Sequence, residues 1–328
     1  MANLTQFGND LYTGKRSVDF VGKRRIWYSI AIAMMVISVI IPFAGGGFNF
    51  GIEFRGGSQF QITGAATLDQ APATETVQQV VPGEVTRVTT VGSDGVRVQT
   101  DQLSDDETQE VAAALAVAYD VPAADVAASF IGPSWGADIT EQAVRGLVVF
   151  LVLAAIIMAL YFRTWKMSVA AMVALLHDLV ITAGVYAATG FEVTPAAIIG
   201  FLTILGFSLY DTVVVFDKIR ENTSELGEQS RYTFAEAVNL AVNQTLVRSI
   251  NTGVVAALPV AAILFIGSFV LGADTLRDIS LALLVGIIVG TYSTIFIAAP
   301  FYAQMREGEP AIRKTDERTR VARGEAVA

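Results

Sequence analysis

Four ionisable side chains stand inside otherwise apolar runs: His177 and Asp178 in ALLHDLVIT, Asp211 in SLYDTVVVF, and Arg248 in VNQTLVRSINTG. Placing such a group deep in a membrane span costs at least roughly 2.5–3.5 kcal/mol, so residues of this kind face a bundle interior, pair with one another or mark ion and proton paths. The chemistry open to them is proton transfer or charge pairing. Asp211 and Arg248 fall at similar depth on successive antiparallel segments and are expected to neutralise each other. Two readings of that pair stay open: a fixed ion pair that orders the bundle, or a switch in which protonation of Asp211 releases Arg248 and the helices repack. His177, the only histidine in the chain, and Asp178 have a plainer reading beside the proton path, a hydrogen bond to a neighbouring helix.

Residues of this kind need membrane spans to carry them. The chain has 328 residues, 53% hydrophobic and 16% charged, with a mean hydropathy of +0.54, a balance outside the range of soluble domains. A hydrocarbon core about 30 Å thick takes about 20 mostly apolar residues. Six segments qualify: Ile26 to Ala44, Val144 to Phe162, Met167 to Ala188, Pro195 to Phe216, Ile250 to Leu271 and Ile279 to Tyr302. At about 1.5 Å per residue, Asp178 sits about 11 residues into the third span, near mid-membrane, Asp211 is roughly 8 Å from the inner end of the fourth, and Arg248 is at the inner edge of the fifth. Pro195 suits a first helical position, and Pro259 is expected to kink the fifth span. Gly286 and Gly290 in GIIVG have small-xxx-small spacing, a close-packing face for another helix.

Orientation follows from Lys and Arg, which are retained on the cytoplasmic side near span ends. With the N-terminus inside, that side holds 17 of them and the other side five, Arg55, Arg87, Arg97, Arg145 and Arg277. Both termini are therefore expected in the cytoplasm and the large loop outside it. The division is a cytoplasmic segment 1–25, a first span within 26–47, an outer domain 48–141, spans two to six within 142–303, and a cytoplasmic tail 304–328. GKRRIW before the first span resembles a signal-peptide start, but the apolar run is too long and no A-x-A site follows. Without cysteine, disulfides and thiolate metal sites are excluded, and no motif calls for a cofactor. Residues 48–141 carry 14 acids against three Arg, so the outer domain is acidic. The basic stripe of a nucleic-acid binder is missing.

The outer domain reads as β-α-β-β-α-β. FRGGSQFQIT alternates after its glycines as a strand, and Thr67 to Val81 is a helix ended by Pro82-Gly83. EVTRVTTV and GVRVQT form a hairpin about Gly92-Ser93-Asp94. Ser104 with Glu107 is a capping box opening a second helix, and Asp125 to Ile131 is the last strand. That order is the ferredoxin-like pattern. Its charged residues are expected on a solvated face, and no catalytic constellation appears, which suits a binding or lever module better than an enzyme.

The run DTVVVFDKIREN at 211–222, with NQTLVRS at 243–249, GTYSTIFIAAP at 290–300, HD at 177–178 and FGIEFRGG at 50–57, resembles SecF, the smaller subunit type of the bacterial SecD–SecF secretion auxiliary. The resemblance runs from about residue 18 to 303, with the motifs in span order. It implies half of a resistance-nodulation-division (RND) bundle, six transmembrane helices with one α+β outer domain, in the bacterial inner membrane. It also implies a SecD partner supplying the other half, and use of the proton-motive force to help secreted polypeptides emerge from the SecYEG channel. The family's proton-passage residues fall on Asp211 and Arg248, and its Gly-rich entry motif on Gly51, Glu53, Gly56 and Gly57. Members usually carry Asp where this chain has Glu53. The tail after Arg306 has no motif and, being polar, is expected to be mobile.

Two other functions compete with this one. A stand-alone RND exporter of small molecules or lipids would need both halves in one chain. An intramembrane aspartyl protease needs two aspartates sharing a proton about one water, with a G-x-G-D motif that neither Asp178 nor Asp217 supplies.

Overall fold

The computed structural model describes residues 2–45, 47–92, 94–224, 231–267 and 274–325. The chain opens with α1 (Ala2–Tyr12) and the first long helix, α2 (Arg24–Ala44). A single turn, α3 (Ile52–Arg55), leads into the outer domain: β1 (Gly57–Ile62), α4 (Ala71–Val80), β2 (Arg87–Val91), β3 (Gly95–Thr100), α5 (Asp105–Ala118) and β4 (Val126–Ile131). Then come α6 (Pro133–Phe162), α7 (Trp165–Thr189), α8 (Pro195–Ser224), α9 (Phe234–Ala262), α10 (Asp274–Ser293), α11 (Ala299–Glu307) and α12 (Pro310–Ala322). Stretches of π-helix, Ile263–Gly267 and Thr294–Ala298, extend α9 and join α10 to α11. Among the described residues six helices are long and apolar enough to cross a membrane, and they carry the six expected spans.

Hydropathy marks the apolar length of a helix and not its ends. Thus α6 starts at Pro133, ahead of Val144, and α9 at Phe234, ahead of Ile250. The polar start of α9 is set by a capping box, in which Thr233 and Glu236 satisfy each other's backbone N–H. Arg248 consequently lies well inside a helix. The chain continues in helix past Pro259. The expected end of the fifth span at Leu271, like Ser93 of the hairpin, falls outside the described residues.

The outer sheet runs β2-β3-β1-β4 with every neighbouring pair antiparallel, the ferredoxin-like order read from the sequence. Alternation along β1 turns Phe60 and Ile62 toward α4 and α5, where they pack with Val77, Val96, Val98, Val111 and Leu115. Each such side chain, fully buried, contributes about 1.5–3 kcal/mol. The capping box Ser104–Glu107 begins α5, and hydrogen bonds from Ser104 hold the Glu107 carboxyl below its usual pKa. Unlike a strand with one wet face, β3 is buried along its whole length. Its second face lies over the membrane bundle: Arg97 is 8% exposed and ion-pairs with Glu192 at 3.3 Å. Arg97 is the exception to the expectation that this domain's charges form a solvated face, because the loop between α7 and α8 covers it, whereas Asp69, Glu75, Asp105, Asp106, Glu110 and Asp125 are exposed.

Within the bundle, α2 and α6 turn Ile32, Val36, Ile40, Val148, Val152 and Ile156 outward, while α7, α8 and α10 bury small and polar residues against one another. Two apolar clusters bracket these helices, one at the end bearing both termini (Phe162, Met167, Phe216, Phe234, Tyr302) and one under the outer domain (Tyr186, Val193, Phe201, Leu281). The tail is folded, against expectation. The Asp316 carboxylate accepts the Phe234 N–H at 2.8 Å, Arg323 ion-pairs with Glu236 at 2.8 Å, and Thr319 is buried. A polar helix docks here because the extramembrane turns of α9 offer it an N-terminus and a carboxylate.

Candidate functional site

Asp178 on α7 is 1% exposed and Asp211 on α8 is 4% exposed. Each accepts from a hydroxyl of a neighbouring helix, Asp178 from α8 and Asp211 from α9. Ser208 donates to Asp178 Oδ2 at 2.6 Å, and three residues on, Asp211 Oδ1 accepts from Ser249 of α9 at 2.9 Å. Between them Thr212 donates to the Ser208 carbonyl at 2.9 Å and meets Thr294 of the π-helical stretch at 3.0 Å. The His177 ring places Nδ1 3.1 Å from Asp178 Oδ1 and lies 5.9 Å from the Tyr292 ring. Asp211 Oδ2 and His177 Nε2 have no hydrogen-bond partner among the described residues.

Hydroxyls both donate and accept. Each carboxylate thus has its own hydroxyl donor, a group that can hand on a proton, but Thr212 is bonded to the Ser208 backbone carbonyl and to Thr294, and among the described residues no continuous chain of hydroxyls joins Asp178 to Asp211. Ser208, Thr212, Ser249 and Thr294 escaped the reading of the sequence; the usable signal was that Ser208 and Thr212 share the face of Asp211 at helical spacing.

Arg248 is exposed and forms no ion pair with Asp211 among the described residues. Adjacent helix positions differ by about 100°, so when Ser249 faces Asp211 its neighbour must turn away. Arg248 lines a cavity of about 1160 Å³ with Asp217, Lys218, Gln244 and Asn251, closed on one side by Phe7 and Tyr12 of α1. Asp211 and Arg248 are thus brought to neighbouring places but not into contact.

Gly286 and Gly290 pack inside this chain. A Cβ at Gly286 would stand 2.1 Å from Ile204 of α8, and one at Gly290 would stand 3.1 Å from Ser208 and 3.5 Å from Asp178 Oδ2. Glycine here lets α10 approach the polar face of α8. It offers no outward face for a second subunit.

The domain entry is tied to the bundle through its backbone. Phe50 bridges Val193, with Gly51 N–H donating to Val193 at 3.1 Å and Val193 N–H to Asn49 at 2.7 Å. Gly56 (φ 77°) ends α3, and Gly57 (φ 133°) starts β1 where a Cβ would meet the Thr100 carbonyl at 2.4 Å, so both positions demand glycine. Glu53 lines a cavity of about 370 Å³ between sheet and bundle, with Gln59, Gln61, Arg97, Thr194 and Asp278. There Thr194 donates to Asp278 at 2.9 Å, and the Tyr186 hydroxyl donates to the Asp278 carbonyl.

Comparison with known proteins places this architecture. Residues 111–308 match the family described as protein export membrane protein SecD/SecF, C-terminal, and residues 43–64 match the SecD/SecF GG motif. The chain is 44% identical over its whole length to the protein translocase subunit SecF of Streptomyces coelicolor, covering 87% of that protein. It is 41% identical to SecF of Mycobacterium leprae over 92% of this chain and 67% of the relative. It superposes on a crystal structure of SecDF, a translocon-associated membrane protein from Thermus thermophilus, with TM-score 0.78 and 31% identity, over 89% of this chain and 39% of that longer one. A multi-pass helical bundle, a ferredoxin-like outer domain, the glycine motif at its entry and full-length similarity agree: the chain belongs to the SecD/SecF protein-export family, in its SecF branch.

Proposed function

We propose that this chain is the SecF-type half of a proton-driven export auxiliary. It works with a SecD partner in the inner membrane to draw secreted polypeptides out of the SecYEG channel. The observation that carries the reading is the pair of buried carboxylates, Asp178 and Asp211, each accepting from a hydroxyl of a neighbouring helix, Ser208 of α8 and Ser249 of α9. Protonation of Asp211 releases its demand on Ser249, and deprotonation restores that hydrogen bond while Arg248 stays in the adjoining cavity. Each charge crossing the membrane supplies about 2.3 kcal/mol per 100 mV, enough to repack a hydrogen bond at every step.

The outer domain is placed to follow such a movement. Its entry strand pairs with residue 193 and Arg97 pairs with Glu192, just ahead of the first turn of α8. A shift of α8 therefore pulls on the sheet. The excess of Lys and Arg on one side supports cytoplasmic termini and an extracytoplasmic domain, whose acidic surface would meet the emerging polypeptide or the SecD domain.

The test is proton-motive-force-dependent secretion in membrane vesicles carrying Asp211→Asn, with assembly into the SecD complex confirmed. Loss of the proton-dependent component with assembly intact is the expected result. Undiminished secretion would remove Asp211 from the mechanism.

A further inference from the structure

At the end of the bundle that carries both termini, the short turn between α6 and α7 opens a second polar cavity, of about 420 Å³, lined by Arg163, Thr164, Trp165, Lys166, Arg220 and Arg306 with Glu309. Nothing in the proton path or the outer domain uses it. Four cations face it against one carboxylate, and that carboxylate is already shared. Glu309 accepts from Lys166 Nζ at 2.8 Å and from Arg306 Nε at 3.2 Å and Nη2 at 3.0 Å. Arg163 and Arg220 have no carboxylate partner among the described residues, and the cavity keeps an excess of three positive charges.

Two further features point at the same place. Thr164, the N-cap of α7, makes no capping hydrogen bond, and the first turn of this long helix, Trp165, Lys166 and Met167, lines the cavity, so an uncapped helix start, the kind of end that favours anions, borders it. Trp165, which lines the cavity, is 64% exposed. In the last turns of α6 that lead to it Leu160 (72%) and Tyr161 (52%) are exposed, the Tyr161 hydroxyl donating to Asp217 at 3.0 Å and leaving its ring as the apolar part. Aromatic rings of this kind settle at headgroup level in a bilayer. Phosphate from solution would need only the cations and the helix end, whereas an apolar wall leading out to hydrocarbon fits a ligand with acyl chains.

We infer that this cavity binds the phosphate headgroup of an anionic phospholipid, seated between α6, α7, α8 and α11 with its chains along Leu160 and Tyr161. Basic pockets between membrane helices take such headgroups. Arg163 and Arg220 contact the phosphate, while Lys166 and Arg306, braced by Glu309, set the positive field.

The experiment uses the purified full chain with phosphatidylglycerol or phosphatidylcholine added in detergent, bound lipid being counted by native mass spectrometry. Wild type is expected to retain phosphatidylglycerol in preference. The double variant Arg163→Asn, Arg220→Gln is expected to retain it about 30-fold more weakly, from two basic residues at the membrane surface. Asn is chosen at 163 because that residue adopts the left-handed conformation, φ 53°. Arg318→Gln, an exposed tail arginine outside the cavity, is expected to behave as wild type. Equal retention of the two lipids by wild type would overturn the inference, and this comparison needs no variant to fold. Unchanged retention in the double variant would overturn it as well. Calorimetric binding of inorganic phosphate that is lost in the double variant, without any lipid preference, would assign the site to a solution anion and reject the lipid.

Discussion

Ser249 of α9 donates a 2.9 Å hydrogen bond to Asp211 of α8, while Arg248, the residue before it, faces an open cavity. The contact at the heart of the bundle is therefore hydroxyl to carboxylate, with the guanidinium held in reserve. Hydrogen bonds to charged groups contribute about 1.5–3 kcal/mol. Ser249→Ala is expected to cut proton-dependent secretion at least about tenfold in vesicles, and Ser249→Thr to keep most of it. Equal rates for wild type and Ser249→Ala would detach this hydroxyl from the mechanism.

Asp178 depends on Ser208 in the same way, and Ser208 sits beside Gly290. Enlarging the glycines on α10 tests whether close approach sustains this geometry. Gly286→Ala drives a methyl into Ile204, and overpacking of this sort costs about 1–3 kcal/mol. Gly206→Ala on α8, where nothing lies within 4 Å, is expected to be neutral. Thermal unfolding in detergent of the two variants side by side decides it; equal shifts would mean α10 can retreat at no cost.

The Arg97–Glu192 pair joins sheet to bundle with side chains only 10% and 5% exposed. Removing one partner of a buried pair costs about 3–5 kcal/mol, whereas replacing both with apolar residues is often near neutral. Arg97→Met alone is expected to destabilise strongly, and Arg97→Met with Glu192→Leu to regain most of the loss. If the double variant is stable yet fails in secretion, the pair transmits motion in addition to holding the joint.

The tail titrates. Burial opposes ionisation of Glu309, but hydrogen bonds from Arg306 and Lys166 outweigh it and hold the carboxyl below its usual value of 4.5. A depressed acid contributes stability that is present above its unfolded pKa and lost as pH falls through the folded one. Protection of the tail from protease is thus expected to fall as pH drops below about 4.5, and Glu309→Gln to release the tail at neutral pH. Asp316, pushed up by burial despite the Phe234 N–H, works with the opposite sign. Asp316→Asn should therefore steepen the acid loss.

Six apolar runs and a β-α-β-β-α-β alternation were legible in the residue order, because hydrocarbon demands continuous apolar length and strands demand period-two burial. The interior placing of Asp178 and Asp211 follows from the same cost of charge in a membrane. Partners were another matter. Which residue of α9 meets Asp211 depends on the rotation of that helix about its axis, and a single step of about 100° exchanges Ser249 for Arg248. Thr294 reaches Thr212, Glu192 reaches Arg97, and α12 reaches the start of α9 across separations that no local pattern records. Gly286 and Gly290 announced close packing by their spacing, but only the assembled bundle chose α8 as their neighbour. Local sequence determined what each segment must bury; simultaneous packing of all the helices decided against what.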